Sequence, residues 1–91
     1  MIRSFASAAT ESLYQRQHVA KFRAFERVAL RKLAQLDAAV SLTDLRAPGN
    51  RLEKLVGNRK GRHSIRINDQ YRLCFIWKTD GAHDVEITDY H

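Results

Sequence analysis

Hydrophobic and polar residues alternate most regularly between Ser64 and Trp77. Alternation with a period of two on both sides of a short polar stretch is typical of a β-hairpin with one buried face. A two-residue loop would place apolar residues opposite charged ones and mix the two faces. A three-residue loop over positions 68–70 instead places Ile65 opposite Leu73 and keeps one face apolar. The pattern therefore predicts the three-residue loop.

The same register places two arginines, Arg66 and Arg72, opposite each other on the polar face of the hairpin. Like charges at facing positions of a strand pair are unfavourable. A phosphate bound between or above the two guanidinium groups would relieve this repulsion. The alternative is that both side chains extend separately into water.

A long amphipathic helix is predicted over Val19–Ala39. Its apolar residues recur at spacings of three and four and form one stripe: Phe22, Phe25, Ala29, Leu33 and Leu36. The opposite side carries a basic row of Arg23, Arg27 and Arg31, beside Lys32. Because such a row repels itself, it is either a solvated helix face or a stripe that follows a phosphate backbone without reading its sequence.

Shorter signals predict the elements around this helix and hairpin. They are an edge strand over Met1–Phe5, a first helix from Ser7 to near Gln17, a capped turn over Ser41–Arg46, a short strand over Arg51–Val56 and a last strand through Val85 and Ile87. Together these elements predict a two-layer α+β fold, in which N-terminal helices pack on a curved antiparallel β-sheet. The length of 91 residues predicts one domain over residues 1–91.

The charge balance indicates a class of partner. Sixteen Lys and Arg residues against ten Asp and Glu residues give a net charge of +6 and a sequence pI near 10.0. This surplus favours a polyanionic partner, with nucleic acid ahead of an anionic membrane, although charge also serves solubility alone. Cys74 is the only cysteine, which fits a reducing compartment. Because no run is apolar enough for a signal core or a membrane span, we expect a cytoplasmic protein.

The polar residues exclude some chemistries and favour one. The four histidines lack metal-ligand spacing and no nucleophile turn of a Ser-His-Asp site is present, so we expect no metal and no other cofactor. Attack of an RNA 2′-hydroxyl on its own phosphate needs a base, an acid and cations, but no metal. Arg72 and Arg66 offer the cations, while Tyr90 and His91 offer a stacking ring and a proton carrier. The alternative for the last two residues is a frayed terminus.

A basic loop flanked by two glycines precedes the hairpin. Arg59 and Lys60 lie between the glycines, and Arg62 and His63 follow at once. The loop is not a nucleotide-binding P-loop, because the terminal Lys-Ser/Thr pair and the following helix are both missing. These four residues are candidate RNA-binding residues.

Two strings of the sequence carry a resemblance to a known family. RLEKLVGNRKGRHSIRINDQYRLCF and the terminal DVEITDYH resemble the HigB-like branch of the RelE/ParE superfamily of toxins, as do the opening MIRSF and the helix ERVALRKLAQLDAA before a PGN turn. The resemblance covers almost the full chain. It implies a microbial-RNase-like α+β fold and a toxin that enters the ribosome and cuts translated mRNA. It also implies a cognate helix-turn-helix antitoxin (HigA-like), with operator DNA bound only through that antitoxin and no membrane partner.

Carried over by position, the resemblance implies roles for particular residues. Arg72 matches the family's transition-state arginine, and Asp89, Tyr90 and His91 match its C-terminal motif. Better-studied members have a His-Pro-Leu-Lys-Gly turn before the hairpin, and this chain has Glu53, Lys54, Leu55, Val56 and Gly57 there. It also has Asn68 where they have an arginine. These departures imply a toxin of moderate potency.

The replacements suggest how the site could still work. Glu53 is the candidate base, and Lys54, Arg66 and Lys60 are candidate substitute cations. Two other functions stay open at the level of the sequence. One is a gyrase poison like ParE, and the other is an rRNA-binding inhibitor of translation that does not cut RNA.

Overall fold

The structure is a computed structural model and describes residues 1–57 and 61–90. Over these residues a four-stranded antiparallel sheet has the strand order β1-β2-β3-β4. The strands are β1 (Glu53–Lys54), β2 (Arg62–Arg66), β3 (Tyr71–Lys78) and β4 (Gly81–Asp89). The order in the sheet is the order in the sequence, so the sheet is a meander. This confirms the antiparallel arrangement that the alternation predicted.

The register of the β2–β3 hairpin is the predicted one, with Ile65 opposite Leu73. The loop over positions 68–70 is stabilised by the side chain of Asn68. Its Oδ1 accepts hydrogen bonds from the backbone N–H groups of Gln70 at 2.9 Å and Tyr71 at 2.7 Å. An asparagine that bonds to the backbone two and three residues later is a turn-forming device, and here it fixes which residues face each other.

The helical part consists of α1 (Ala8–Tyr14), a 3-10 helix (Ala20–Phe25), α2 (Glu26–Ala38) and a 3-10 turn (Leu42–Leu45). Ser7 caps α1 as predicted, by accepting a hydrogen bond from the N–H of Thr10 at 3.2 Å. The helix ends at Tyr14 rather than near Gln17.

The long helix predicted over Val19–Ala39 is wrong in its first third, which is wound as the 3-10 helix. Residues three apart eclipse in this winding, and the rings of Phe22 and Phe25 lie 5.8 Å apart. Phe25 also stacks on Tyr71 of the sheet, with ring centroids 4.4 Å apart. Because the winding changes at Glu26, the basic row does not continue from this segment along a single α-helical face.

The apolar stripe of α2 packs against one face of the sheet and forms the core. The buried apolar residues of the cluster are Leu13, Phe22, Ala29, Leu33, Leu36, Ala39, Leu45, Ile65, Ile67, Leu73, Phe75, Ala82 and Val85. Residues of both layers are therefore buried against each other, which confirms the two-layer α+β fold. The opposite face of the sheet, here called the outer face, carries the partners Arg66, Arg72 and Thr88 in one row and Glu53, Ser64, Cys74 and Glu86 in the next.

Lys32 differs most from its prediction. The sequence pattern placed it beside the basic row on the polar side of the helix, but the residue is only 8% exposed. Its Nζ donates a hydrogen bond to Oδ1 of Asn50. Burying the charge of a lysine is unfavourable unless a polar partner receives it, and the loop before β1 supplies that partner.

The N-terminal segment pairs with β4 more sparsely than an edge strand would. Met1–Phe5 forms two single parallel bridges, from Ile2 to Ala82 and from Phe5 to Val85. Gly81 allows the close approach, because a Cβ at that position would collide with the carbonyl oxygen of Met1. The predicted strand over Arg51–Val56 is likewise reduced to β1. None of the helices in residues 1–57 and 61–90 is long and apolar enough to cross a membrane.

Candidate active site on the outer face

Arg72 lies in the middle of β3, on the outer face, and neutral oxygens hold its guanidinium group. Its Nε donates to Oγ of Ser64 at 2.7 Å, and its Nη2 donates to the carbonyl oxygen of Arg51 at 2.6 Å. The side chain is only 12% exposed. Hydrogen bonds to neutral oxygens orient a cation without cancelling its charge. The arrangement therefore presents a fixed positive charge, suited to stabilising negative charge on a bound phosphate.

Arg66 is the direct cross-strand partner of Arg72, as predicted, but its side chain has a different environment. Its Nη2 donates to Oδ1 of Asp69 in the hairpin loop, and the two form an ion pair. The aspartate is 98% exposed, so the pair lies at the surface. The repulsion expected between the two facing arginines is thus relieved by Asp69 on one side.

Glu53 and Lys54 are adjacent in sequence but lie on opposite faces of the sheet. Glu53 pairs with Ser64 and shares the outer face, whereas Lys54 pairs with His63 on the core side. Oε2 of Glu53 lies 3.9 Å from Nη2 of Arg72, and the carboxylate side chain is 59% exposed. The structure therefore brings the candidate base next to Arg72, and it does not bring Lys54 there.

Tyr90 follows the end of β4 and covers Cys74 on the outer face. Its Oη lies 4.0 Å from Sγ of Cys74, and its backbone N–H donates to the carbonyl oxygen of Gln70 at 2.8 Å. Cys74 is buried and is two residues along β3 from Arg72, about 7 Å away at the usual rise of a strand. The half-exposed ring of Tyr90 thus borders the same site.

Asp89 of the C-terminal motif takes a different direction from Tyr90. It pairs with Tyr71, one residue away from the Arg72–Thr88 pair, so it leaves β4 on the other side from Thr88. Its Oδ2 accepts a hydrogen bond from Nε2 of Gln70 at 3.0 Å. This bond connects the end of β4 to the hairpin loop, which helps to place the residue that follows.

Arg62 and His63, the two candidates at the start of β2, lie apart from Arg72. Arg62 reaches across the sheet to Asp84, with Nη1 3.3 Å from its carbonyl oxygen and Nη2 3.9 Å from its Oδ2. His63 stacks on Phe75 of the core at a ring distance of 6.2 Å. Burial, and then the charge of Lys54, lower the pKa of His63 below its usual 6.5. The neutral ring is thus favoured where it lies.

Three predicted site residues, Arg59, Lys60 and His91, lie outside the described residues. Their candidate roles remain sequence-based predictions.

Sequence reasoning missed Ser64 and the Asn50–Arg51 corner, which supply the oxygens around Arg72. Ser64 is fully buried, although its place in the alternating pattern is on the polar face. A serine on the same face as an arginine and diagonally opposite it was the available signal. The carbonyl of Arg51 left no trace in the sequence, because its direction depends on a positive φ of 45° at that residue.

Within residues 1–57 and 61–90, no group of three or more His, Cys, Asp or Glu side chains could hold a metal ion.

A family comparison covers almost the whole chain, including the residues of this face. The model of the HigB-like toxin family, described as the RelE-like toxin HigB of type II toxin–antitoxin systems, matches residues 3–91. The chain belongs to the HigB-like toxin family. The match includes Glu53, Ser64, Arg72 and Tyr90, so the outer face lies wholly within the family region of this HigB-like chain.

One curated relative of the HigB-like chain is Toxin HigB-1 of Vibrio cholerae serotype O1 (strain ATCC 39315 / El Tor Inaba N16961). It is 57% identical over 58 residues, which are 63% of this chain and 60% of the relative. The aligned region therefore spans less than two thirds of the relative's own length.

Solved structures share the fold of this HigB-like chain. A chain of the YoeB–YefM complex from Staphylococcus aureus has a TM-score of 0.63 at 20% sequence identity, and the match covers 100% of this chain and 98% of that one. The YoeB dimer from Staphylococcus aureus has the same TM-score and identity, with coverages of 99% and 97%. At this identity the likeness shows the fold alone.

Proposed function

We propose that the chain is the toxin of a type II toxin–antitoxin system and acts as an endoribonuclease that cuts mRNA on the ribosome. The observation that carries this proposal is the environment of Arg72 on the outer face. Its guanidinium is fixed by two neutral oxygens, at 2.7 and 2.6 Å, and a carboxylate lies 3.9 Å away. A fixed cation beside a candidate base meets two of the three needs of metal-independent RNA cleavage.

The proposed reaction is an internal phosphoryl transfer. The 2′-oxygen of a ribose forms a bond to the adjacent phosphorus, the bond from phosphorus to the 5′-oxygen breaks, and a cyclic phosphate and a free 5′-hydroxyl result. Glu53 takes the proton of the 2′-hydroxyl, and its exposed carboxylate is accessible to substrate. Arg72 stabilises the negative charge of the phosphorane.

Two aromatic residues at the end of the chain complete the proposal. Tyr90 stacks on a nucleobase next to the scissile phosphate, since its ring borders the site and is 38% exposed. His91, which lies outside the described residues, is the sequence-based candidate for the acid that protonates the leaving 5′-oxygen.

Mapping of mRNA 5′ ends tests this function. The chain is induced alone in bacterial cells, and ends are mapped with active ribosomes and after initiation is blocked. We expect new ends inside reading frames that disappear when ribosomes no longer elongate. Arg72→Ala should abolish both the cuts and the growth inhibition, while Lys78→Ala, an exposed change at the far end of β3, should leave both intact.

Two outcomes of that experiment would contradict the proposal. DNA breaks and an SOS response with intact mRNA would indicate a gyrase poison instead. Translation inhibition without new ends, unchanged in folded Arg72→Ala, would indicate an rRNA-binding inhibitor that does not cut RNA.

The proposal includes a protein partner. A helix-turn-helix antitoxin of the HigA type is expected to bind this chain and restrain it, and operator DNA is expected to bind only through the antitoxin. Co-expression of the neighbouring open reading frame with the tagged toxin tests the pair. We expect co-expression to restore growth and to give a stable complex. In an electrophoretic mobility assay the complex should retard DNA of its own operator, whereas the toxin alone should not.

A further inference from the structure

Asn50 is a buried polar residue that joins α2 to the outer face. It is 1% exposed, and its side-chain Nδ2 donates to Oε1 of Gln35 at 3.0 Å and to the carbonyl of Leu45 at 3.1 Å. Its Oδ1 accepts from Nζ of Lys32. Its own carbonyl accepts from the backbone N–H of Arg66 at 2.6 Å. Partners on three separate segments therefore fix this one residue.

We call the hydrogen bond from Lys32 to Asn50, together with the other contacts that fix Asn50, the brace. Its unusual feature is the lysine. Its ammonium group is nearly buried, and burial, followed by the charges of Arg31 and Arg66, lowers the pKa of Lys32 below its usual 10.5. A hydrophobic residue at this position of α2 would avoid that cost. The amine therefore serves a purpose other than filling the core, and its bond to Asn50 identifies the purpose.

The brace leads directly to Arg72. Arg51 follows Asn50 in the chain and has a φ of 45°, a left-handed conformation that is uncommon for a non-glycine residue. This conformation turns the carbonyl of Arg51 toward Arg72, which donates to it at 2.6 Å. With Asn50 held on one side of Arg51 and Arg72 on the other, the carbonyl has little freedom to rotate.

We propose that Asn50, braced by Lys32 of α2, is a positioning residue that sets the Arg51 carbonyl and through it the guanidinium of Arg72. The inference rests on the proposed function for its catalytic meaning, since Arg72 must act on the scissile phosphate. It assigns no contact with RNA to either residue. The brace acts only by holding Arg72 where the negative charge of the phosphorane develops.

The test measures Arg72 directly and needs no RNA. Hydrogen exchange at the Arg72 Nη2–H group, the donor to the Arg51 carbonyl, is followed by NMR in ¹⁵N-labelled protein, with the signal assigned by its loss in Arg72→Lys. In the wild-type chain we expect exchange slower by about tenfold or more than at exposed Arg46. Lys32→Met and Asn50→Ser should each accelerate it. Lys78→Met makes the same change as Lys32→Met at an exposed position and should leave the rate unchanged.

Catalysis supplies the second measurement. On programmed ribosomes, Lys32→Met should lower kcat by about tenfold with KM nearly unchanged, because a misplaced group weakens the transition state more than substrate binding. Asn50→Gln, which keeps the amide, should retain more activity than Asn50→Ser. Lys78→Met should match the wild type in both constants.

The two measurements separate the inference from the proposed function. Wild-type exchange at Arg72 as fast as at Arg46, or unchanged exchange and kcat in folded Lys32→Met, would overturn the brace. If Asn50→Ser does not fold, the result for Lys32→Met decides alone. If neither variant folds, the exchange rate of Arg72 relative to Arg46 in the wild type decides. If exchange responds as expected but no RNA is cut by the wild type, the brace stands and the proposed function fails.

Discussion

Arg66 and Arg72, which face each other on the outer face, show how one residue type serves two purposes. Arg72 is held by a serine hydroxyl and a backbone carbonyl, and its side chain is 12% exposed. Arg66 is paired with an aspartate that is 98% exposed. Short hydrogen bonds to neutral oxygens thus set the direction of Arg72, with the Glu53 carboxylate farther away at 3.9 Å, whereas an exposed carboxylate bonds directly to Arg66 and compensates its charge.

This difference suggests which of the two arginines acts on a phosphate. A cation contributes most to a transition state when its direction is set before the substrate arrives, because no free energy is then lost in ordering it. Arg72 meets that condition because its two short hydrogen bonds go to neutral oxygens, and its carboxylate neighbour Glu53 lies farther away at 3.9 Å. Arg66 would first have to leave Asp69, so its contribution to phosphate binding should be smaller.

Conservative replacement of each arginine by lysine should separate them most strongly. Arg72→Lys keeps the charge but loses the two directed hydrogen bonds to Ser64 and Arg51, so we expect single-turnover cleavage to fall by about 100-fold. Arg66→Lys keeps a surface ion pair with Asp69, and its rate should change by less than about threefold. Cleavage of a reporter mRNA on programmed ribosomes measures both. Equal losses in the two variants, with folding verified by circular dichroism, would mean that the two arginines contribute alike to the reaction.

Tyr90 offers the next largest effect. If its ring stacks on a base, Tyr90→Ala should lower cleavage by about tenfold, within the range of base–aromatic stacking energies. Tyr90→Phe keeps the ring and should stay within about threefold of the wild type. A loss in Tyr90→Phe as large as in Tyr90→Ala would instead indicate that the hydroxyl takes part in the reaction.

Much of the frame of this site could be predicted from the sequence. Alternation around positions 68–70 predicted the hairpin register, and the register alone predicted that Arg66 faces Arg72. Such inferences succeed because a one-residue slip would expose every apolar side chain of β2. The stripe through Ala29, Leu33 and Leu36 was likewise predicted, since helix periodicity and burial are directly linked.

The surroundings of Arg72 could not be predicted in the same way. The Arg51 carbonyl depends on a backbone conformation, and Lys32 is buried only because a loop distant in sequence supplies Asn50. Helix periodicity places a lysine beside arginines on the solvent side. It cannot predict that a residue in a distant loop will bind that lysine and allow its burial. The 3-10 winding of Ala20–Phe25 was also missed. It goes together with stacking of Phe25 on Tyr71 of the sheet, a contact between distant parts of the chain that periodicity does not predict.

Release of Arg66 from its ion pair with Asp69 should raise the affinity for RNA. This gain should be smaller than the losses of cleavage expected for the Arg72 and Tyr90 variants. Asp69→Asn removes the competing carboxylate, so affinity for a non-cleavable 2′-O-methyl RNA should rise, by up to about fivefold given the modest energies of surface pairs. Glu11→Gln removes the same charge from an exposed position of α1 and should raise affinity less. Fluorescence anisotropy at fixed salt measures both. Equal gains in the two variants would mean that net charge alone sets the affinity and that Arg66 has no particular part in it.

His63 on the core side should give the smallest effect, and its readout is stability rather than cleavage. Burial and the charge of Lys54 lower the pKa of His63 in the folded chain, and its Nδ1 is buried without a hydrogen-bond partner among the described residues. The unfolded chain therefore binds the proton more readily. Stability is fully present above the usual pKa of 6.5 and is lost as the pH falls through the lower folded value.

Urea unfolding at about pH 7.5 and about pH 5.5 tests this dependence, since the two conditions lie on either side of the usual histidine pKa. The midpoint of the wild type should fall at the lower pH, and His63→Phe, which keeps a ring against Phe75, should lose part of that fall. His18→Gln removes an exposed histidine and should keep the wild-type dependence. A full fall in His63→Phe would mean that other groups cause the acid sensitivity. A reduced fall would indicate that protonation of the half-buried His63 ring on the core side destabilises the folded chain.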